Sequence, residues 1–120
     1  MKIAIPVKEQ SIQGNIYPSF GRSPFFMIYD DSNNQNVFIQ NEASQAVGGA
    51  GTKAAQLLMD HYVDAVISYQ IGENALAILK LAKISLYQAK EGSIKDHIQW
   101  VINKQLDLLI YSQPPRHGKN

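Results

Sequence analysis

The chain has 120 residues, of which 45 % are hydrophobic and 18 % charged; its formal net charge is +1 and it has no cysteine. That balance fits one compact domain with a modest core rather than a disordered chain. It excludes a broad basic field for nucleic acid or anionic membrane, a disulfide framework, a cysteine nucleophile and thiolate-ligated zinc or iron–sulfur sites. Any anion binding has to come from local geometry.

The opening "MKIAIPVKEQ" carries too short an apolar run for a signal peptide, and no segment has the apolar length that spans a bilayer. The expected location is cytoplasmic. "KIAIPV" alternates Ile3, Ile5 and Val7 as a first strand, with Pro6 expected at its end or at an unpaired position. From Lys8 to Pro24 no periodicity holds, and loops this long in small domains usually have a function. "FFMIYD" and "VFIQNE" predict a hairpin around the turn formers "DSNNQN".

After the irregular "ASQAVGGAG", "TKAAQLLMDHY" sets Ala54, Leu57 and Leu58 at helical spacing. "VDAVISY" reads as a strand covered on both faces. "GENALAILKLAK" gives a second helix and "ISLYQA" a fifth strand. "GSIKDHIQWVINKQL" predicts a third helix, with Ser93 as N-cap and Asp96 three positions on. Strand–strand–strand followed by alternating helix and strand predicts an α/β fold: a mixed five-stranded sheet flanked by three helices. The expected domain covers residues 1–106, and residues 107–120 are expected to be a disordered tail.

Three motifs bear on chemistry. In "GGAGT", Gly48, Gly49, Gly51 and Thr52 sit at a helix start, where bare backbone N–H groups attract an anion. The other reading is a tight loop whose glycines only allow close packing. The spacing is neither a dinucleotide fingerprint nor a P-loop. In "YPSFGRSPFFMIYD", Gly21 permits unusual backbone angles and Arg22 offers a planar fork of donors, stiffened by Pro18 and Pro24. An exposed Arg22 paired loosely with Asp30 or Asp31 is the plainer alternative. In "YQIGENA", Gly72 and Asn74 lie where a strand passes into a helix, the position that collects ligands in open α/β sheets, or simply a helix entry with Glu73 against the dipole.

His61, His97 and His117 have no partner at metal-ligand spacing and read as solvated or helix-capping imidazoles. No nucleophile elbow and no acid–base pair is present, so nothing supports catalysis.

Together "MKIAIPV", "PSFGRSPFFMIYD", "NEASQAVGGAGTKAAQLLMDH", "VDAVISYQIGENA" and "KEGSIKDHI" resemble the small dinitrogenase iron–molybdenum cofactor biosynthesis proteins, the nitrogenase accessory factors. The resemblance spans residues 1–106. It implies a ribonuclease-H-like architecture and non-enzymatic binding or carriage of an anionic iron–sulfur or iron–molybdenum cluster or its precursor. It also implies an assembly or acceptor protein as partner, and no nucleic acid or membrane. The implied contact residues are Ser19, Phe20, Gly21, Arg22, Gly48, Gly49, Gly51, Thr52, Gly72 and Asn74, with no resident metal. Two positions depart from the family pattern. Ser19 stands where relatives carry a histidine, and a hydroxyl is a poorer metal ligand than imidazole. Tyr62 stands where they tend to have the glycine that ends the first helix; a left-handed tyrosine costs about 1–2 kcal/mol, so a locally rebuilt helix end is expected. The alternative function is a metal-free regulatory or interaction module for a small anion or a protein. A hydrolase needs clustered metal-binding carboxylates, and Asp30, Asp31 and Asp64 do not provide them.

Overall fold

A computed structural model describes residues 1–110. The strands are β1 (Lys2–Val7), β2 (Phe25–Asp30), β3 (Gln35–Gln40), β4 (Ala65–Ser68) and β5 (Ser85–Gln88). The helices are α1 (Ala50–Asp60), α2 (Glu73–Leu81) and α3 (Ile94–Ile102), with a short 3-10 turn at Glu42–Gln45. One sheet runs in the order β3-β2-β1-β4-β5. β1 pairs antiparallel with β2, and β2 with β3, whereas β1 pairs parallel with β4, and β4 with β5. The hairpin half and the crossover half therefore meet at β1.

The alternation in β1 divides the core into two layers. Ala4 faces Phe26, Ile28, Val66 and Leu86, and that face is covered by Ala54, Ala55 and Leu58 of α1 and Leu76 and Leu79 of α2. Ile3, Ile5 and Val7 face the other way, with Met27, Ala65 and Ile67, under Ile94, Ile98 and Val101 of α3. Pro6 is tolerated in this central strand because β4 pairs only with Ile3 and Ala4, leaving Pro6 beyond its reach. Among the described residues no helix is long and apolar enough to cross a membrane.

Four local expectations change. β3 lies two residues earlier than "VFIQNE", because Asn41 leaves the sheet to cap the 3-10 turn, its side chain accepting from the Ala43 N–H. The turn shrinks accordingly to residues 31–34, where the Asp30 carboxylate accepts the Ser32 N–H at 3.0 Å and the Ser32 hydroxyl at 2.7 Å. Those donors hold the Asp30 carboxyl below its ordinary range.

The end of α1 is not rebuilt. Tyr62 adopts φ 57°, while its N–H donates to Met59 and the Val63 N–H to Leu58, which is the bond pair of a Schellman stop. The left-handed strain is accepted because Val63 is then buried against the core.

The expected tail starts too early. The Gln88 N–H donates to the Asp107 carbonyl and the Leu109 N–H to the Leu86 carbonyl, so the chain lines the β5 edge through Leu109, which is buried. The remainder of the tail, residues 111–120, lies outside the described residues, as does His117.

His97 is not solvated. It is fully buried; its Nε2 accepts the Lys90 N–H at 3.1 Å, so its Nδ1 carries the proton and donates to the Ser93 carbonyl at 2.7 Å. The Trp100 ring packs edge-on against it, and the Lys90 ammonium lies over the Trp100 ring. The imidazole is thus a brace between the β5–α3 loop and α3. His61 sits at the end of α1, with Nδ1 3.0 Å from the Leu57 carbonyl.

Candidate anion cleft

The crossovers from β3 to β4 and from β4 to β5 place α1 and α2 side by side on one face, with both helix starts at the same end of the sheet. The starts touch: a Cβ built on Gly51 would lie 3.3 Å from the Ala75 Cβ. The loop before β2 comes down on them. Its Phe20 N–H donates to the Gln70 carbonyl, and Ser19 bridges Gln70 in parallel register. A cleft of about 370 Å³ opens between the three segments.

The helix starts on this cleft are bare. α1 begins after Gly49, which is left-handed at φ 70°, and no side chain caps it. α2 begins after Gly72, again with no side-chain cap. Among the described residues no protein group accepts from the N–H of Ala50, Gly51, Thr52, Glu73, Asn74 or Ala75. Unsatisfied first-turn amides carry the positive end of the helix dipole, and two such ends share one cleft. Against this stands Glu73, an acidic residue in the first turn of α2 that also lines the cleft.

Gly21 is needed for a reason other than backbone freedom. Its φ is not positive, but a Cβ on it would lie 2.8 Å from the Gly51 N and 2.9 Å from the Gly51 Cα. Only a glycine lets the loop lie directly on the first turn of α1.

Arg22 is paired with neither Asp30 nor Asp31. Asp31 is taken by the amino group of Met1, and Asp30 by Ser32. The Arg22 Nη1 instead donates to the Ser44 carbonyl at 3.1 Å and the Ala46 carbonyl at 2.7 Å. From the other side the buried Asn41 donates its side-chain amide to the Gly21 and Ser23 carbonyls.

Of the residues singled out in the sequence, Ser19, Phe20, Gly21, Arg22, Gly49, Gly51, Thr52, Gly72 and Asn74 line this cleft, and Gly48 does not. Gln70, Glu73, Ala50 and Ala75 also line it without having been marked as site residues. Gln70 had a readable signal, since it lies two residues past the end of β4, on the ligand-collecting side of the sheet. Asn41 had none. Among the described residues no three His, Cys, Asp or Glu side chains group closely enough to hold a metal ion.

Fold and cleft together define a small α/β protein with a mixed five-stranded sheet and a cleft rich in free amides. The dinitrogenase iron-molybdenum cofactor family model matches residues 1–104, and the chain belongs to that family. It is 32 % identical over 110 residues to the uncharacterized protein MJ0580 of Methanocaldococcus jannaschii, covering 89 % of this chain and 90 % of that one. The structure resembles the apo orange protein of Desulfovibrio gigas at a TM-score of 0.84 and 24 % identity, over 90 % of this chain and 92 % of that one. TM1290 of Thermotoga, a NifB candidate of the DUF35 family, superposes at 0.80 with 26 % identity, over 93 % and 97 % of the two chains.

Proposed function

We propose that this protein binds and carries an anionic iron–molybdenum or iron–sulfur cluster, or its precursor, during cofactor assembly in the cytoplasm, without chemistry of its own. The observation that carries the proposal is the convergence of two uncapped helix starts and the FGR loop on one cleft. Membership of the dinitrogenase iron-molybdenum cofactor family supports this class of cargo.

The donor set determines how the cargo is held. Besides free amides, the residues lining the cleft include Ser19, Thr52, Gln70, Asn74 and Arg22, but no cysteine or histidine. Hydrogen bonds to the outer atoms of an anion, rather than metal–ligand bonds, are what these groups supply. Binding held this way falls as ionic strength rises and leaves the cargo intact for an acceptor protein. Glu73 opposes the anion, so removing its charge should tighten binding.

The test is anaerobic incubation with isolated iron–molybdenum cofactor, followed by gel filtration and visible absorption, beside an unrelated protein of similar charge. Co-elution that weakens with salt and strengthens in Glu73→Gln is expected. No co-elution above the control ends the carrier reading. If the cofactor does not co-elute but phosphate or sulfate shifts the melting temperature, the metal-free anion module replaces it; Ser19 at the histidine position favours that second reading.

A further inference from the structure

The Arg22 guanidinium is divided between two tasks. Nη1 is committed to the Ser44 and Ala46 carbonyls, while among the described residues no protein acceptor meets Nε or Nη2. Arg22 reaches from the first loop onto the second, and Asn41 reaches back from the second onto the first. Packing does little for the stretch between them and α1: no side chain from 44 to 49 is buried, and Val47 is fully exposed. Residues 44–49 lead directly into the bare start of α1, so whatever fixes them fixes the amides of the cleft.

We infer that Arg22 is a positioning residue, which sets the glycine turn and the first amides of α1 through the Ser44 and Ala46 carbonyls. Only its remaining nitrogens are left for a bound anion, and this second part rests on the anion-cleft reading proposed above. The distinction from a simple surface charge is geometric. A guanidinium presents several donors in a rigid plane, so one nitrogen can hold the loop while Nε and Nη2 stay available to an anion; a lysine has one nitrogen and cannot be in both places.

Arg22→Ala and Arg22→Lys test this, by amide hydrogen exchange on the ligand-free protein and by co-elution with isolated iron–molybdenum cofactor. The reporters are the Ser44 and Ala46 N–H groups, which donate to the Asn41 carbonyl at 3.1 Å and the Ala43 carbonyl at 3.0 Å. Loss of two charge-assisted bonds should speed their exchange about tenfold or more in Arg22→Ala. The exchange of β1 and β4 amides should not change, since Arg22 is exposed and outside the core. Cofactor retention should fall in both variants, with Arg22→Lys giving no rescue despite its charge.

Unchanged exchange at Ser44 and Ala46 in Arg22→Ala overturns the positioning role, whatever the binding result. Arg22→Lys behaving as the native protein in both measurements overturns it too, because a point charge then suffices. Faster exchange with no cofactor retained by any of the three proteins supports the positioning role and removes the anion reading alone.

Discussion

The C-terminal ends of the three helices can be set beside their N-terminal ends. Each helix stops through the same two backbone bonds, with a left-handed residue between them: Tyr62 at φ 57°, Lys83 at 62° and Lys104 at 59°. None of the three is glycine. The starts diverge. α3 carries a full capping box, in which the Ser93 hydroxyl accepts the Asp96 N–H at 2.9 Å, and His97 braces the loop before it. α1 and α2 begin after glycines that supply no cap, and both open on the cleft. One generic device therefore serves all three ends, while a side-chain cap is present at the start of α3 and absent at the two starts that open on the cleft.

The largest expected effects come from two glycines, one on each side of this contrast. Gly21→Ala drives a Cβ to 2.8 Å from the Gly51 backbone N, and Gly92→Ala brings one to 2.8 Å from the Trp100 ring at a φ of 144°. Each should destabilise the fold by about 1–3 kcal/mol, read by urea denaturation. Only Gly21→Ala, which displaces the start of α1, should also abolish cofactor retention. Native retention in that variant would remove the cleft as the binding site.

Changes near 1 kcal/mol then separate ends from starts. Lys83→Gly and Lys104→Gly relieve the left-handed strain and should each stabilise the protein by about 1 kcal/mol. Ser93→Ala removes the cap of α3 and should cost about 1 kcal/mol. None of the three should alter ligand binding, since none of these residues lines the cleft. A binding change in Ser93→Ala would mean that the capped start is not purely structural.

What was readable in the chain follows the range of the interactions. Period-2 alternation in β1, the turn formers after β2 and the Ser93–Asp96 spacing act within a few residues, and the sheet and helices appear much as those patterns predict. The FGR, GGAG and IG-NA blocks were also visible as separate motifs, and their meeting follows from the crossovers. The reasons for individual residues were not legible. Gly21 is needed because of Gly51, thirty positions on, and Arg22 is held by carbonyls 22 and 24 residues away. Asn41 and His97 look like surface residues by type, yet both are buried, since each satisfies backbone groups of a neighbouring loop. Side chains that bond distant backbone leave no periodic trace.

The smallest expected change in stability is the sharpest probe of the contrast. Gly72 has φ −63° and ψ 158°, the extended backbone of an ordinary N-cap, and a Cβ there meets nothing within 4 Å. Gly72→Asp therefore installs on α2 the kind of cap that α3 already has, and should stabilise the protein by a few tenths of a kcal/mol. The new carboxylate would take the amides of the first turn and place a negative charge beside Glu73. Retention of an anionic ligand should fall sharply while the melting temperature rises slightly, whereas Gly72→Ala, which adds a methyl without an acceptor, should leave retention near native. Opposite movement of stability and binding at one position is what separates a bare helix start kept for a ligand from one left bare without consequence. Equal retention in Gly72→Asp and the native protein would assign α2 a purely architectural part and leave the anion to α1 alone.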